Sequence, residues 1–148
     1  CDNSILISKR MGISSTPTKA VLAAIVGCPY EITLSGVWTY QYAADVANCL
    51  ILAARTELDG APVFNMGGAV ADMAEFVAAI ESVLPEAAGT ITIADAPIPL
   101  PGEVDDSELN RAIPGVHWRT LPEGVAESVA QFRQLIDAGR IDIERAMA

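Results

Sequence analysis

Segments with helical periodicity alternate along this chain with short segments of strand periodicity, and this alternation constrains the fold more than any single motif does. The order is helix, two strands, helix, strand, helix, strand, helix, with no repeat or long linker between them. Such an order fits an α/β or α+β fold better than a helical bundle or a β-sandwich. Because 148 residues suffice for one core, we predict a single α/β (or α+β) domain of short strands with about four to five helices.

The helices are predicted from their end signals and their apolar spacing. Thr16-Pro17 begins a first helix that Gly27 ends. Asp45 is interpreted as the N-cap of a second helix, residues 46–55, whose mostly apolar side chains predict burial on most sides. Residues 120–123 have capping-box spacing ahead of the last helix. A third helix is predicted from the spacing of Val70, Met73, Val77, Ile80 and Leu84.

The strands are predicted from alternation and from turn residues. Residues 30–34 alternate at period two, and Ser35-Gly36 turns the chain into a second run at 38–42, so we expect this pair to form a hairpin. A further strand is predicted at 62–66 and another at 90–93. The two-residue period leaves one face of each strand for the core.

The charge balance restricts the partners of this chain. Nine basic and nineteen acidic residues give a formal net charge of -10, which repels nucleic-acid phosphates and anionic membrane surfaces. The sequence also lacks an apolar run of the roughly 20 residues that span a bilayer. We therefore expect neither a nucleic-acid nor a membrane partner. The first ten residues do not read as a secretory signal, so we expect a cytoplasmic location.

The residue types that bind metals do not cluster in the sequence. Cys1, Cys28 and Cys49 are widely separated and form no Cys-x-x-Cys pair, which argues against a disulfide framework and against a structural zinc site. We expect three reduced thiols and no metal. His117 is the only histidine, and without a nearby second ligand we interpret it as structural.

Four segments occur in an order typical of one enzyme family. Residues 12–20 resemble the stretch that opens a substrate-side helix, and 40–47 resemble a Tyr-Val-Asp-Asp-Val-Ala strand-to-helix junction. Residues 63–68 are similar to a Tyr-Asn-Ile-Gly strand end, and 121–135 to a closing helix introduced by Leu-x-Glu-Gly. Together they make residues 12–138 resemble the C-terminal half of the NAD-dependent epimerases and dehydratases of the extended short-chain dehydrogenase/reductase family, which act on nucleotide sugars.

The resemblance implies the substrate lobe of that family without its Rossmann core. It divides the chain into an unmatched N-terminal segment, 1–11, a lobe-like domain, 12–138, and a C-terminal tail, 139–148. The family's glycine-rich phosphate loop is absent from the sequence, as is its Tyr-x-x-x-Lys pair, because no lysine lies four residues after Tyr30, Tyr40 or Tyr42. We therefore predict no catalytic residue and no cofactor bound by this chain, NAD being the cofactor of the parent family.

The resemblance also suggests where a ligand lies. Ser14, Ser15 and Lys19 would face the sugar, although a polar loop with an exposed lysine accounts for them equally well. Trp38 occupies the place where the family usually has a phosphate-gripping arginine; it would stack on a sugar or base, or else be partly buried in a strand pair. Helix capping accounts for Asp45 without a ligand.

Three functions remain open from the sequence. The first is a truncated NAD-dependent epimerase/dehydratase-like protein that retains a lobe for a small polar ligand such as a nucleotide sugar. The second is a non-catalytic interaction or small-ligand-binding module of unknown function, because a lobe separated from its Rossmann half exposes an apolar face; we then expect a homo-oligomer or a partner domain. The third is new chemistry around Ser14, Ser15 and Lys19.

Overall fold

The computed structural model describes residues 15–97, 99 and 101–147. Helices and short strands alternate along them, which confirms the predicted mixed α/β class; the described residues contain six α-helices rather than four to five. The elements, in chain order, are α1 (Thr16–Val26), β1 (Tyr30–Ile32), β2 (Val37–Tyr40), α2 (Ala43–Arg55), β3 (Ala69–Asp72), α3 (Met73–Val83), a 3-10 turn (Pro85–Ala87), β4 (Ile91–Ile93), α4 (Ser107–Ala112), α5 (Leu121–Asp137) and α6 (Ile143–Met147).

The strands form two separate two-stranded sheets, and the predicted hairpin of β1 with β2 is wrong. Instead, β1 pairs in parallel with β4, with Tyr30 opposite Ile91, and β2 pairs antiparallel with β3. Tyr30 and Ile32 are buried in the main core. Packing of these two side chains with residues distant in sequence therefore overrides the local turn signal at Ser35-Gly36.

The predicted strand at 62–66 is also wrong, because these residues belong to no regular element and the strand follows them as β3. Val70, which the helical spacing assigned to a helix, lies in β3. The reason is a capping box: Asp72 accepts a hydrogen bond from the Glu75 backbone N–H at 2.7 Å, and Glu75 accepts one from the Asp72 N–H at 2.8 Å. This cap starts α3 at Met73 and leaves Val70 in extended backbone.

The main core lies among α1, α3 and α5 and the β1–β4 sheet. It includes a fully buried run in α1, residues 20–24, and two valines of α5, Val125 and Val129. A smaller cluster forms around Cys49, Leu109 and Ile113. The predicted start and end of α1 are confirmed. Gly27 follows the last residue of the helix and adopts a left-handed conformation with φ 68°.

The surface of α2 differs from the expectation of burial on most sides. Only Asp45 and Cys49 of this helix are buried, whereas Leu50 is 59% and Ile51 48% exposed. Four small or apolar side chains form an exposed stripe along the helix, which we call the α2 stripe: Ala47, Leu50, Ile51 and Ala54. Apolar composition predicted burial, but within the described residues no element covers this face.

The segment after α5, residues 139–148, was expected to be a C-terminal tail. It contains α6, and Ile141, Ile143 and Ala146 pack against the main core. Of the helices in the described part of the chain, none is long and apolar enough to cross a membrane.

Replacing Gly68 by alanine tests the approach of β3 to β2. A Cβ atom at Gly68 would lie 2.4 Å from the carbonyl oxygen of Tyr40, so we expect Gly68→Ala to lower the free energy of unfolding by about 1 to 3 kcal/mol. Gly124→Ala is the control, because its Cβ would meet Tyr42 at an ordinary 3.7 Å and alanine favours the helix by up to about 1 kcal/mol. Urea unfolding measures both, and equal stabilities would contradict the close approach.

Candidate functional site

A buried ion pair joins α2 to the segment that precedes α5. The α2 helix begins at Ala43 after Tyr42, so Asp45 lies in its first turn and its interpretation as the N-cap is wrong. Its carboxylate is buried at 5% exposure; Oδ2 accepts a hydrogen bond from the Arg119 backbone N–H at 2.9 Å, and Oδ1 pairs with Arg119 Nη1. A buried carboxylate requires such compensation, so Arg119 accounts for the burial of Asp45.

The same guanidinium extends this polar contact to α5. Arg119 Cζ lies 4.7 Å from the centroid of the Tyr42 ring, which is a cation–π contact. The Tyr42 hydroxyl accepts a hydrogen bond from Gln131 Nε2 at 2.7 Å. Burial raises the pKa of Tyr42, the carboxylate of Glu127 adds to the rise, and Arg119 and Gln131 oppose it. These contacts therefore connect the start of α2 to α5, which is distant in sequence, through four side chains: Asp45, Arg119, Tyr42 and Gln131.

A cavity of about 510 Å³ lies between α1, β2 and α5. We call it the aromatic cavity, because its apolar wall carries Trp38, Tyr40, Tyr42, Phe76 and Phe132. Tyr40 stacks on Phe76 with ring centroids 4.9 Å apart, and its hydroxyl lies 3.2 Å from the sulfur of Met73. Burial raises the pKa of Tyr40 far above its ordinary value, with smaller contributions from Asp72 and Glu75. The polar groups of the lining belong to Thr18, Thr39, Gln41, Thr120, Ser128 and Gln131.

A second cavity of about 620 Å³ lies between α2 and α5 and differs in charge. We call it the acidic cavity, because Asp45, Glu123 and Glu127 line it together with His117. Glu123 accepts hydrogen bonds from the backbone N–H and the hydroxyl of Thr120, at 2.9 and 2.7 Å, and these bonds lower its pKa. The predicted capping pair at the start of α5 is thus formed. Arg119 lines both cavities.

The ligand-binding candidates from the sequence are only partly brought together. Trp38 is half-buried opposite Ala71 and packs against the main core, so its partial burial in a strand pair is confirmed. It also lines the aromatic cavity, and its stacking on a sugar or base stays a prediction. Ser15 directly precedes α1, and Lys19 lies near the start of that helix. Neither residue lines the aromatic cavity, whereas Thr18 does. Ser14 lies outside the described residues.

Sequence reasoning missed the polar residues that connect α2 to α5. Tyr42 and Gln131 are 89 positions apart, and Asp45 and Arg119 are 74 positions apart. Spacing along the chain carries no signal for such pairs. A buried carboxylate needs a cation, but the sequence contains nine basic residues and does not indicate which of them Asp45 meets.

The cysteines and the histidine form no metal site within the described part of the chain, where no group of three or more His, Cys, Asp or Glu side chains is placed to hold an ion. Cys49 is a free buried thiol, and burial raises its pKa. Cys28 is in a disulfide, so the expectation of a reduced thiol is wrong there.

No family model and no curated protein matches this chain. Two solved structures share its fold. A GalE-like L-threonine dehydrogenase from Cupriavidus necator, in its holo form, superimposes with a TM-score of 0.63 at 22% identity over 83% of this chain and 43% of its own. A partial-consensus L-threonine 3-dehydrogenase gives 0.66 at 22% identity, over 83% and 42%.

These matches show that the fold of this chain is similar to part of the fold of the two L-threonine dehydrogenases. The chain spans 42 to 43% of the length of the two structures. The resemblance inferred from the sequence is therefore confirmed for the fold.

Replacing Asp45 by alanine tests the ion pair. We expect the free energy of unfolding to fall by about 2 to 3 kcal/mol, less than for a fully buried pair, because the Arg119 side chain is 33% exposed. Glu86→Ala is the control, since its pair with Arg133 is exposed on both sides and should contribute at most about 1 kcal/mol. Denaturant melts of both variants measure the difference; equal losses would show that the Asp45 pair has no special role.

Proposed function

We propose that this chain is the substrate-side lobe of an epimerase/dehydratase-like short-chain dehydrogenase/reductase and binds a small polar ligand in the aromatic cavity. One observation carries this proposal. Trp38 and the first turn of α1 line the same cavity, although they come from two separate segments in which the sequence resemblance places substrate contacts. The likeness of the fold to dehydrogenases supports it.

The chemistry of the cavity favours a nucleotide sugar. Its volume of about 510 Å³ falls within the roughly 300 to 1,000 Å³ of small-molecule sites. Aromatic faces suit the stacking of a base or a sugar ring, and the hydroxyl and amide groups of the lining suit a polyhydroxylated ligand. The two similar structures are named L-threonine dehydrogenases, so a small amino acid is the competing ligand class.

This lobe does not perform the parent reaction by itself under the proposal. The sequence contains neither the glycine-rich phosphate loop nor the Tyr-x-x-x-Lys pair, so NAD binding and proton transfer would come from another half. With that half, the parent reaction is an epimerisation, dehydration or reduction. The lobe contributes the shape and polarity of the ligand pocket.

Thermal melting of the purified chain tests the proposal, with UDP-glucose, L-threonine and NAD as separate probes. A probe at about 100 times its Kd should stabilise the chain by about 2.7 kcal/mol. We expect UDP-glucose to raise the melting temperature and Trp38→Ala to abolish the rise. Trp118→Phe is the control, because Trp118 packs in the smaller cluster and does not line the aromatic cavity.

The probes separate the alternatives. A rise with L-threonine only would keep the pocket but change the ligand class. A rise with NAD only would contradict the absence of a cofactor site, and no rise with any probe would contradict the ligand-binding lobe.

The second candidate function is a non-catalytic interaction module that forms a homo-oligomer. The α2 stripe favours it, because Leu50 and Ile51 expose apolar surface side by side on one helix. Exposed apolar patches of this kind mark interaction surfaces. A second copy of the chain is the partner that this hypothesis requires.

Light-scattering mass checks the second candidate. If the α2 stripe joins two copies, the wild type has a multiple of the 15.5 kDa monomer mass and the double variant Leu50→Gln/Ile51→Gln becomes monomeric. Val63→Gln is the matched control, because Val63 is 91% exposed but lies off the helix. A monomeric wild type would contradict the homo-oligomer.

A further inference from the structure

We propose that Arg119 is the anion-recognition residue of the aromatic cavity and that the ligand presents an oxyanion, a carboxylate or a phosphate, to its guanidinium. This inference rests on the proposed function and adds the charge of the ligand and the residue that recognises it. No feature of the sequence resemblance pointed to Arg119.

The charge of the lining carries the first step. Among the described residues that line the aromatic cavity, Arg119 is the only charged one. The chain as a whole contains nineteen acidic and nine basic residues, so a lining with one cation and no carboxylate is unlike the rest of the molecule. A concave surface with one fixed positive charge and aromatic walls attracts an anion with a planar or ring-shaped body.

The geometry of Arg119 supplies the second step. Asp45 binds both the backbone N–H and Nη1 of Arg119, and the Tyr42 ring supports the guanidinium from one face. The side chain is therefore held in one orientation before any ligand arrives. Within the described residues, Nε and Nη2 donate to no protein acceptor, and the side chain is 33% exposed. A guanidinium has five N–H donors, and a pair of them matches an oxyanion in bidentate geometry.

The acidic cavity on the other side of Arg119 selects the position of the anion. Asp45, Glu123 and Glu127 line that cavity and would repel a carboxylate or phosphate. The aromatic cavity lacks such groups among its described lining residues. The oxyanion therefore belongs on the aromatic side, where Thr18, Ser128 and Gln131 add neutral polar groups.

Calorimetric titration with UMP, uridine, inorganic phosphate and L-threonine tests this assignment. We expect UMP to bind at least about tenfold more tightly than uridine, because a hydrogen bond to a charged group contributes about 1.5 to 3 kcal/mol. Arg119→Gln should remove this difference while leaving uridine binding unchanged. Arg133→Gln is the control, because Arg133 is an arginine within α5 that lines neither cavity.

A second variant guards against loss of folding. Arg119→Gln leaves the buried Asp45 carboxylate without its cation. The double variant Asp45→Asn/Arg119→Gln removes both charges, and its asparagine oxygen can still accept a hydrogen bond from the backbone N–H of residue 119. Thermal melts identify which variant is folded, and that variant is titrated. Arg119→Lys retains the charge without the bidentate fork, and an affinity between those of the wild type and Arg119→Gln is expected.

The outcomes separate this inference from the proposed function. Equal UMP affinity in the wild type and in the folded Arg119 variant would overturn the role of Arg119 and leave the ligand pocket standing. Equal affinity of the wild type for UMP and uridine would do the same. Arg119-dependent binding of inorganic phosphate without binding of either nucleoside compound would support the anion site and count against the nucleotide-sugar pocket. Arg119-dependent binding of L-threonine alone would identify the carboxylate as the oxyanion, and absence of all binding would overturn both.

Discussion

The ion pair between Asp45 and Arg119 is the contact on which the arrangement of both cavities depends. Asp45 is buried at the start of α2 and binds the backbone as well as the side chain of Arg119. This double contact fixes the approach to α5 relative to α2. Because Arg119 also lies on the Tyr42 ring, the pair sets the boundary between a cavity lined by carboxylates and one lined by aromatic rings. A cation held in place by a buried carboxylate thereby gives the surface of one cavity its electrostatic character.

The exposed α2 stripe and the absence of two family motifs from the sequence are consistent with one another. Within the described residues no element covers the apolar face of α2, and the sequence contains neither the phosphate loop nor the Tyr-x-x-x-Lys pair of the resembled family. The likeness of the fold to only 42 to 43% of two dehydrogenase chains is consistent with both observations. Under the second candidate function, a second copy of the chain covers the α2 stripe.

Local signals predicted both ends of α1 and the start of α5, but missed the starts of α2 and α3 and the strand pairing. Thr16-Pro17, Gly27 and the capping pair Thr120–Glu123 act within a few residues, so their effects can be read from neighbours. The pairing of β1 with β4 instead of β2 depends on which surface buries Ile32. Of the candidate ligand residues that the structure describes, Trp38 alone lines the aromatic cavity. The order of motifs, rather than local propensity, had pointed to it.

Four properties followed from the amino-acid sequence: the mixed α/β class, the bounds of α1 and the start of α5, the acidic balance, and the absence of the family's cofactor and catalytic motifs. Each depends on composition or on residues close together in the chain. Three properties came from tertiary packing: Asp45 pairs with Arg119, α2 leaves Leu50 and Ile51 exposed, and Arg119 faces a cavity with no carboxylate among its described lining residues. Those outcomes depend on contacts between segments about 70 to 90 positions apart, and chain spacing does not encode which of several chemically suitable partners a buried group meets.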